Sequence, residues 1–203
     1  MADLLPQVRL DLSDTAPANL IALFGADVQQ VVLEIGFGAG EHLIAEAKAN
    51  PQTGYLGAEP FINGVAKVLS AVDDDALSNI RLHNDDARAL IEWLPDASLD
   101  RVDLLYPDPW PKTRHWKRRF FGPANLDRLA RVMKPGAALC FATDITTYVA
   151  WALWHARRHP AFEWASARPR DWRDPWPGWT RTRYEEKAIR EGRRPHYLTF
   201  RRA

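Results

Sequence analysis

Short apolar runs alternate along this chain with amphipathic stretches of about ten residues, and that alternation predicts a fold class. Val31 to Ile35, Tyr55 to Glu59, Ile80 to His83, Arg101 to Tyr106 and Ala138 to Thr143 read as strands, each followed by a turn-forming Gly, Pro, Asn or Asp. Between them Glu41 to Ala49, Phe61 to Ala71, Asp86 to Trp93, Pro123 to Met133 and Thr146 to Arg158 read as helices. Asn50-Pro51 stops the first of these, and Lys134-Pro135-Gly136 stops the fourth. Strands alternating with helices require right-handed crossovers, which predicts a doubly wound α/β domain with a mostly parallel sheet and helices on both faces. From Pro160 the pattern changes to Phe162-Glu163-Trp164-Ala165, a loop rich in Pro, Trp and Arg through Trp179, and a closing strand His196 to Arg201. The last strands are expected to complete a seven-stranded sheet in antiparallel fashion. Residues 1–30 read as a short N-terminal extension, residues 31–203 as a single domain, and 160–195 as a loop region within it.

With 203 residues, 46% of them hydrophobic, the chain can bury a core without disulfides or a structural metal. Cys140, the single cysteine, falls in a strand and reads as a small buried hydrophobe. No apolar run is long enough to span a membrane and no basic-then-apolar leader opens the chain, so a reducing cytoplasm is the expected compartment. His155 and His159 lie one helical turn apart without a clear third ligand, and no metal site is expected.

The net charge of +1 conceals a division. Residues 1–100 carry 5 Lys and Arg against 16 Asp and Glu, a balance of −11, whereas residues 101–203 carry 22 against 10, a balance of +12. Eight of the nine tryptophans lie in the basic half. Basic charge with flat aromatic faces points to a polyanion whose bases can stack.

The first strand runs into Gly36-Phe37-Gly38-Ala39-Gly40 and a helix follows at once. A glycine turn at the carboxyl end of a strand lets a ligand approach the backbone without meeting a Cβ. The spacing G-x-G-x-G differs from the dinucleotide pattern G-x-G-x-x-G, and Glu41 stands where the final glycine would be, which argues against a pyrophosphate cofactor. Three carboxylates, Glu34, Glu59 and Asp86, end or follow the first three strands. Glu59 lies at an offset suited to ribose hydroxyls. Such an acidic rim suits a cationic cofactor such as the sulfonium of S-adenosylmethionine.

The fourth strand leads into Pro107-Asp108-Pro109-Trp110-Pro111-Lys112 and then Arg114-His115-Trp116-Lys117-Arg118-Arg119. Two prolines restrict the backbone around Asp108, holding its carboxylate at the mouth of the sheet. Trp110 beside it offers a ring to a base, and the following run, free of acids, offers donors to phosphates. Asp144 closes the fifth strand and is expected to face the same crevice.

These motifs, with Ala142-Thr143-Asp144 and Thr182-Arg183-Tyr184-Glu185, resemble the TrmB family of bacterial tRNA (guanine-N7)-methyltransferases, over roughly residues 30–203. The resemblance implies a Rossmann-like class I fold, S-adenosylmethionine as methyl donor with S-adenosylhomocysteine as product, and methylation of guanine N7 at position 46 in the variable loop of tRNA. It implies further that Glu34, Glu59, Asp86 and Asp108 contact the cofactor alongside the Gly36, Gly38 and Gly40 turn, with Asp108 also catalytic. Lys112, Asp144, Thr182, Arg183, Tyr184 and Glu185 would bind the substrate, and Arg114, His115, Trp116, Lys117, Arg118 and Arg119 would touch RNA. The loop region 160–195 then belongs to the substrate side, and the enzyme works as a monomer or homodimer. After Glu185 the chain departs from the family pattern, running Glu186-Lys187-Ala188 and later Arg194-Pro195-His196.

Other classes remain open to the residues alone: a methyltransferase acting on an exocyclic amine or a protein amide, a nicotinamide-dependent oxidoreductase, or a non-catalytic RNA-binding module. The glycine spacing disfavours the second, and the acidic residues at the strand ends have no task in the third.

Overall fold

The computed structural model describes residues 4–25 and 27–203; Met1 to Asp3 and Ala26 of the expected N-terminal extension lie outside them. Seven strands form one sheet: β1 Gln30–Ile35, β2 Thr53–Ala58, β3 Ile80–His83, β4 Leu99–Leu105, β5 Met133–Thr143, β6 Phe162–Trp164 and β7 His196–Arg202. Their order is β3-β2-β1-β4-β5-β7-β6. The first five run parallel, while β7 inserts antiparallel between β5 and β6. The helices are α1 Leu5–Val8, α2 Glu41–Ala49, α3 Ile62–Asp74, α4 Ala87–Trp93, α5 Pro123–Val132, α6 Thr146–Ala156, α7 Arg170–Arg173 and α8 Arg183–Arg190, with 3-10 turns at Leu20–Leu23 and Thr113–Arg118. The expected doubly wound architecture is present.

The period-two alternation of strand side chains explains the two cores. Leu33, Ile35, Leu56 and Ala58 point to one face and pack with residues of α4, α5 and α6. Val32 and Tyr55 point to the other and pack with α2, α3 and Val8 of α1. The N-terminal segment is built into the domain: the Leu10 amide donates to the Leu82 carbonyl at 2.8 Å, and Leu10 and Leu20 join the first core.

Several boundaries differ from the sequence pattern. Helix α3 continues past Ala71 to Asp74, since Val72 extends the buried stripe of Val65, Val68 and Leu69. Strand β5 begins at Met133, directly after α5, and then loops out: Leu99 pairs with Met133, but Arg101 pairs with Ala138. Pro135 lacks an N–H and Gly136 takes a φ of +80°, so Lys134-Pro135-Gly136 makes a bulge inside the strand and does not merely stop a helix. Helices α7 and α8 occupy a stretch expected to be loop. No helix among the described residues is long and apolar enough to cross a membrane.

Candidate active site

The carboxyl ends of β1, β2 and β4 open into a cavity of about 1140 Å³. Its wall brings together Gly36, Gly38, Glu59, Asp86 and Asp108 with Trp110, Arg118, Arg183 and Tyr184. The glycine turn and the basic segment therefore share one crevice.

Gly36 and Gly38 adopt φ of +71° and +58°, conformations that side chains rarely take, and a Cβ on Gly36 would meet nothing within 4 Å. This part of the backbone is bare toward the cavity. The turn is held from below by Glu59, whose buried carboxylate accepts from the Gly38 amide at 2.8 Å and the Phe61 amide at 3.0 Å. Asn84 donates to the Glu59 carbonyl at 2.9 Å, tying the end of β2 to the loop after β3. Asp86 caps α4 by accepting from the Arg88 amide at 2.9 Å and remains half exposed on the wall. Gly64 of α3 joins the site unforeseen: a Cβ there would lie 1.9 Å from the Gly38 carbonyl oxygen. Its lack of a side chain lets α3 pack directly on the turn. A helical glycine three residues after an exposed Phe61 was the available signal.

Asp108 is exposed at the tip of β4, flanked by Tyr106 at φ +50° and Trp110 at φ +43°. Two left-handed residues bracketing a proline-pinned aspartate are costly in isolation, on the order of 1–3 kcal/mol each, and persist where surroundings enforce them. Arg119 supplies the enforcement. It is 3% exposed; its Nε donates to the Pro109 carbonyl at 2.8 Å, its other nitrogens donate to Thr147, and its guanidinium lies over the Trp116 and Tyr148 rings. Its charge is thereby enclosed and its donors face inward, unlike the exposed basic residues beside it. Trp116 is likewise partly enclosed, its Nε1 buried and its ring edge-on to Trp151 at 5.8 Å. Lys112, Arg114, Lys117 and Arg118 are exposed, and His115 packs edge-on to Trp110.

Glu34 lies outside the cavity wall. Strand alternation sends its carboxylate to the α2 face, where it meets His42 Nδ1 at 2.8 Å, away from the cavity wall. It begins a buried polar row across the sheet, in register with Asp103, Cys140 and Thr199. Burial pushes the Glu34 and Asp103 carboxyls up, and the Cys140 thiol as well. Burial alone would lower the His42 imidazole, but the surrounding carboxylates, Glu34 first and then Asp103 and Glu46, together outweigh it and raise the pKa to about 8. Gly40 lies outside the wall too: it starts α2 at φ +82°, and a Cβ would strike Val68 at 2.3 Å, so its role is packing.

The Thr182 to Glu185 segment divides. Thr182 caps α8, its hydroxyl accepting from the Glu185 amide at 3.3 Å. The Glu185 carboxylate is 2% exposed and accepts from Trp179 Nε1 at 2.6 Å and the Tyr197 hydroxyl at 2.7 Å. Both therefore face inward, and they fix the segment. Arg183 and Tyr184 face the cavity, with Tyr184 covering Gly38. Asp144 directly follows β5 and is engaged by Arg193, which also pairs with Glu191. Asp144 does not line the same wall as Asp108, and Arg193 had no signal in the sequence beyond its charge.

A glycine turn after β1, a carboxylate at the end of β2 and a β7 inserted antiparallel beside β5 define a class I S-adenosylmethionine-dependent methyltransferase fold. Solved structures of this class align with the chain: the 16S rRNA methyltransferase KamB with a TM-score of 0.67 at 18% identity, covering 91% of this chain and 93% of that one, and TrmN from Thermus thermophilus with 0.60 at 18%, covering 98% and 52%. At those identities they show the fold alone. The family model described as "Putative methyltransferase" matches residues 28–198. A relative from Rhizobium meliloti (strain 1021) is 56% identical over 200 residues, covering 98% of this chain and 86% of that protein. Another, from Brucella anthropi, is 59% identical over 198 residues, covering 98% and 85%. Both are named tRNA (guanine-N(7)-)-methyltransferase, and this chain belongs to their family.

Proposed function

We propose that the chain methylates N7 of guanine in tRNA, using S-adenosylmethionine, and that its target is position 46 of the variable loop. The observation that carries the reading is the single cavity shared by the Gly36 turn, Asp108, Tyr184 and Arg118. The bare turn and carboxylate wall fit the donor: Gly36, Gly38, Glu59, Asp86 and Asp108 would hold it. When bound, S-adenosylmethionine supplies an electrophilic methyl group.

Guanine N7 carries a free lone pair at neutral pH, so no base has to remove a proton before attack. The chain's task is positioning and charge stabilisation. Asp108, fixed by Pro107, Pro109 and the Arg119 clamp, faces the purine as it gains positive charge. Arg183 and Tyr184 close the guanine side. Lys112, Arg114, His115, Lys117 and Arg118 receive phosphates along the outer lip. An enzyme of this kind works in the cytoplasm, where tRNA matures.

Titration with S-adenosylhomocysteine and with NAD tests the cofactor assignment, and labelled-methyl transfer to an unmodified tRNA transcript tests the substrate. Binding of the homocysteine product alone, with label incorporated into RNA, is expected. Binding of NAD, or transfer to protein and not to RNA, overturns the proposal.

A further inference from the structure

Helix α6 begins with residues the fold uses, Thr147 under Arg119 and Trp151 against the core, and leads to Trp154 and Arg158, which neither the core nor the cavity wall takes up. Thr147, Trp151, Trp154 and Arg158 follow one another at intervals of four, three and four, which places them along one stripe of a helix. The stripe starts at the Arg119 clamp, where Thr147 accepts from that guanidinium. It is braced against the basic 3-10 turn through Trp116 and Trp151. It continues through His155, whose ring lies 4.2 Å from Trp151 and 4.7 Å from Trp154. It ends at Trp154, 52% exposed, with the Arg158 guanidinium 4.1 Å over its ring.

A large ring left half in water is an unspent contact, since burial would stabilise the fold by more. The surrounding charge is one-sided. Residues 145–162 contain no Asp or Glu, nor do residues 109–126 of the neighbouring basic segment, while Arg157 and Arg158 are both exposed. Asp127, on α5, is paired with His159 at 3.0 Å beyond the end of the stripe. From Thr147 to Trp154 the helix rise gives about 10 Å, the length of roughly three stacked nucleotides at about 3.4 Å each, and Arg158 follows in the turn just past the end of α6.

We propose that this face of α6 is a second RNA-docking surface, in which Trp154 stacks on an unpaired base and Arg157 and Arg158 receive phosphates of the same tRNA that places its guanine in the cavity. The inference rests on the reading of tRNA as substrate. Its chemistry is that of sequence-tolerant single-strand recognition: an aromatic platform within a positive track.

The test uses the whole enzyme with Arg157→Glu/Arg158→Glu, Trp154→Ala and Trp154→Phe, all at exposed positions. For the double variant the KM for tRNA should rise about tenfold or more, and the slope of log affinity against log salt should shrink by roughly 1 to 2. Trp154→Ala should raise KM about fivefold, and Trp154→Phe should restore most of it. The dissociation constant of S-adenosylhomocysteine should not move. Wild-type methylation of tRNA with unchanged KM and salt slope in all three variants overturns the α6 surface alone. Failure of the wild type to modify any tRNA overturns the substrate reading beneath it, and the inference with it.

Discussion

At the scale of single residues, the account turns on which charges face the cavity and which are enclosed. Asp108 faces it, with no structural task assigned to its carboxylate, so Asp108→Ala should lower methyl transfer by roughly 100- to 1,000-fold, the size seen when one preorganised electrostatic group is lost. Product-cofactor affinity should fall far less; equal losses in titration and turnover would make Asp108 a binding residue only. Arg119 is the opposite case. Removing it strands the Pro109 and Thr147 carbonyls and empties an aromatic cage, so Arg119→Ala should cost about 3 kcal/mol in denaturant unfolding. Arg114→Ala, at an exposed site, should leave stability unchanged and raise KM for tRNA. Charge alone did not separate these two arginines in the sequence. The distinction depends on Thr147 and Tyr148, which lie in another element and come near only in the fold.

At the scale of elements, the strand–turn–helix order was legible because each strand carries its own apolar run and stop signal. The glycine turn, Glu59, Asp86 and Asp108 were legible for the same reason: strand ends in a parallel sheet converge. What escaped were features set by packing between distant segments. Alternation on β1 decides that Glu34 points to α2, and it could have been counted from Leu33 and Ile35. Helix α8 was readable in principle from Thr182 and Glu185, three apart as in a capping box, but the bonds of Glu185 to Trp179 and Tyr197 were not. Gly64 is the clearest test of element docking. With a Cβ 1.9 Å from the Gly38 oxygen, Gly64→Ala should push α3 off the turn and weaken S-adenosylhomocysteine binding tenfold or more, as read by calorimetry. Unchanged binding would mean that α3 does not set the turn's shape.

The His42 and Glu34 pair joins α2 to β1 and gives stability a pH dependence. Because the folded state raises His42 from 6.5 to about 8, it holds that proton more tightly than the unfolded chain does. The stabilisation is full below pH 6.5 and is lost as pH rises through 8, an effect on the order of 2 kcal/mol. Urea unfolding between pH 6 and 9 should show the decline, and His42→Gln should abolish it. A flat profile in the unsubstituted protein would remove the charged pair from the account.

At the scale of the whole molecule, an acidic half and a basic half fold into one domain that seats both on a single crevice. The division of −11 and +12 along the chain therefore becomes a division of labour across the cavity. Glu59, Asp86 and Asp108 line the wall proposed for the sulfonium donor, and Arg118 and Arg183 line the same cavity toward the proposed RNA side. Tight salt dependence of the tRNA KM, with little salt dependence of product-cofactor binding, follows from that separation. The most direct measurement incubates the enzyme with an unmodified tRNA transcript carrying guanine at position 46 and methyl-labelled S-adenosylmethionine, then digests the RNA and identifies the labelled nucleoside. The account predicts 7-methylguanosine, abolished when position 46 is replaced by adenine. Label in any other nucleoside, or none in RNA, would contradict it.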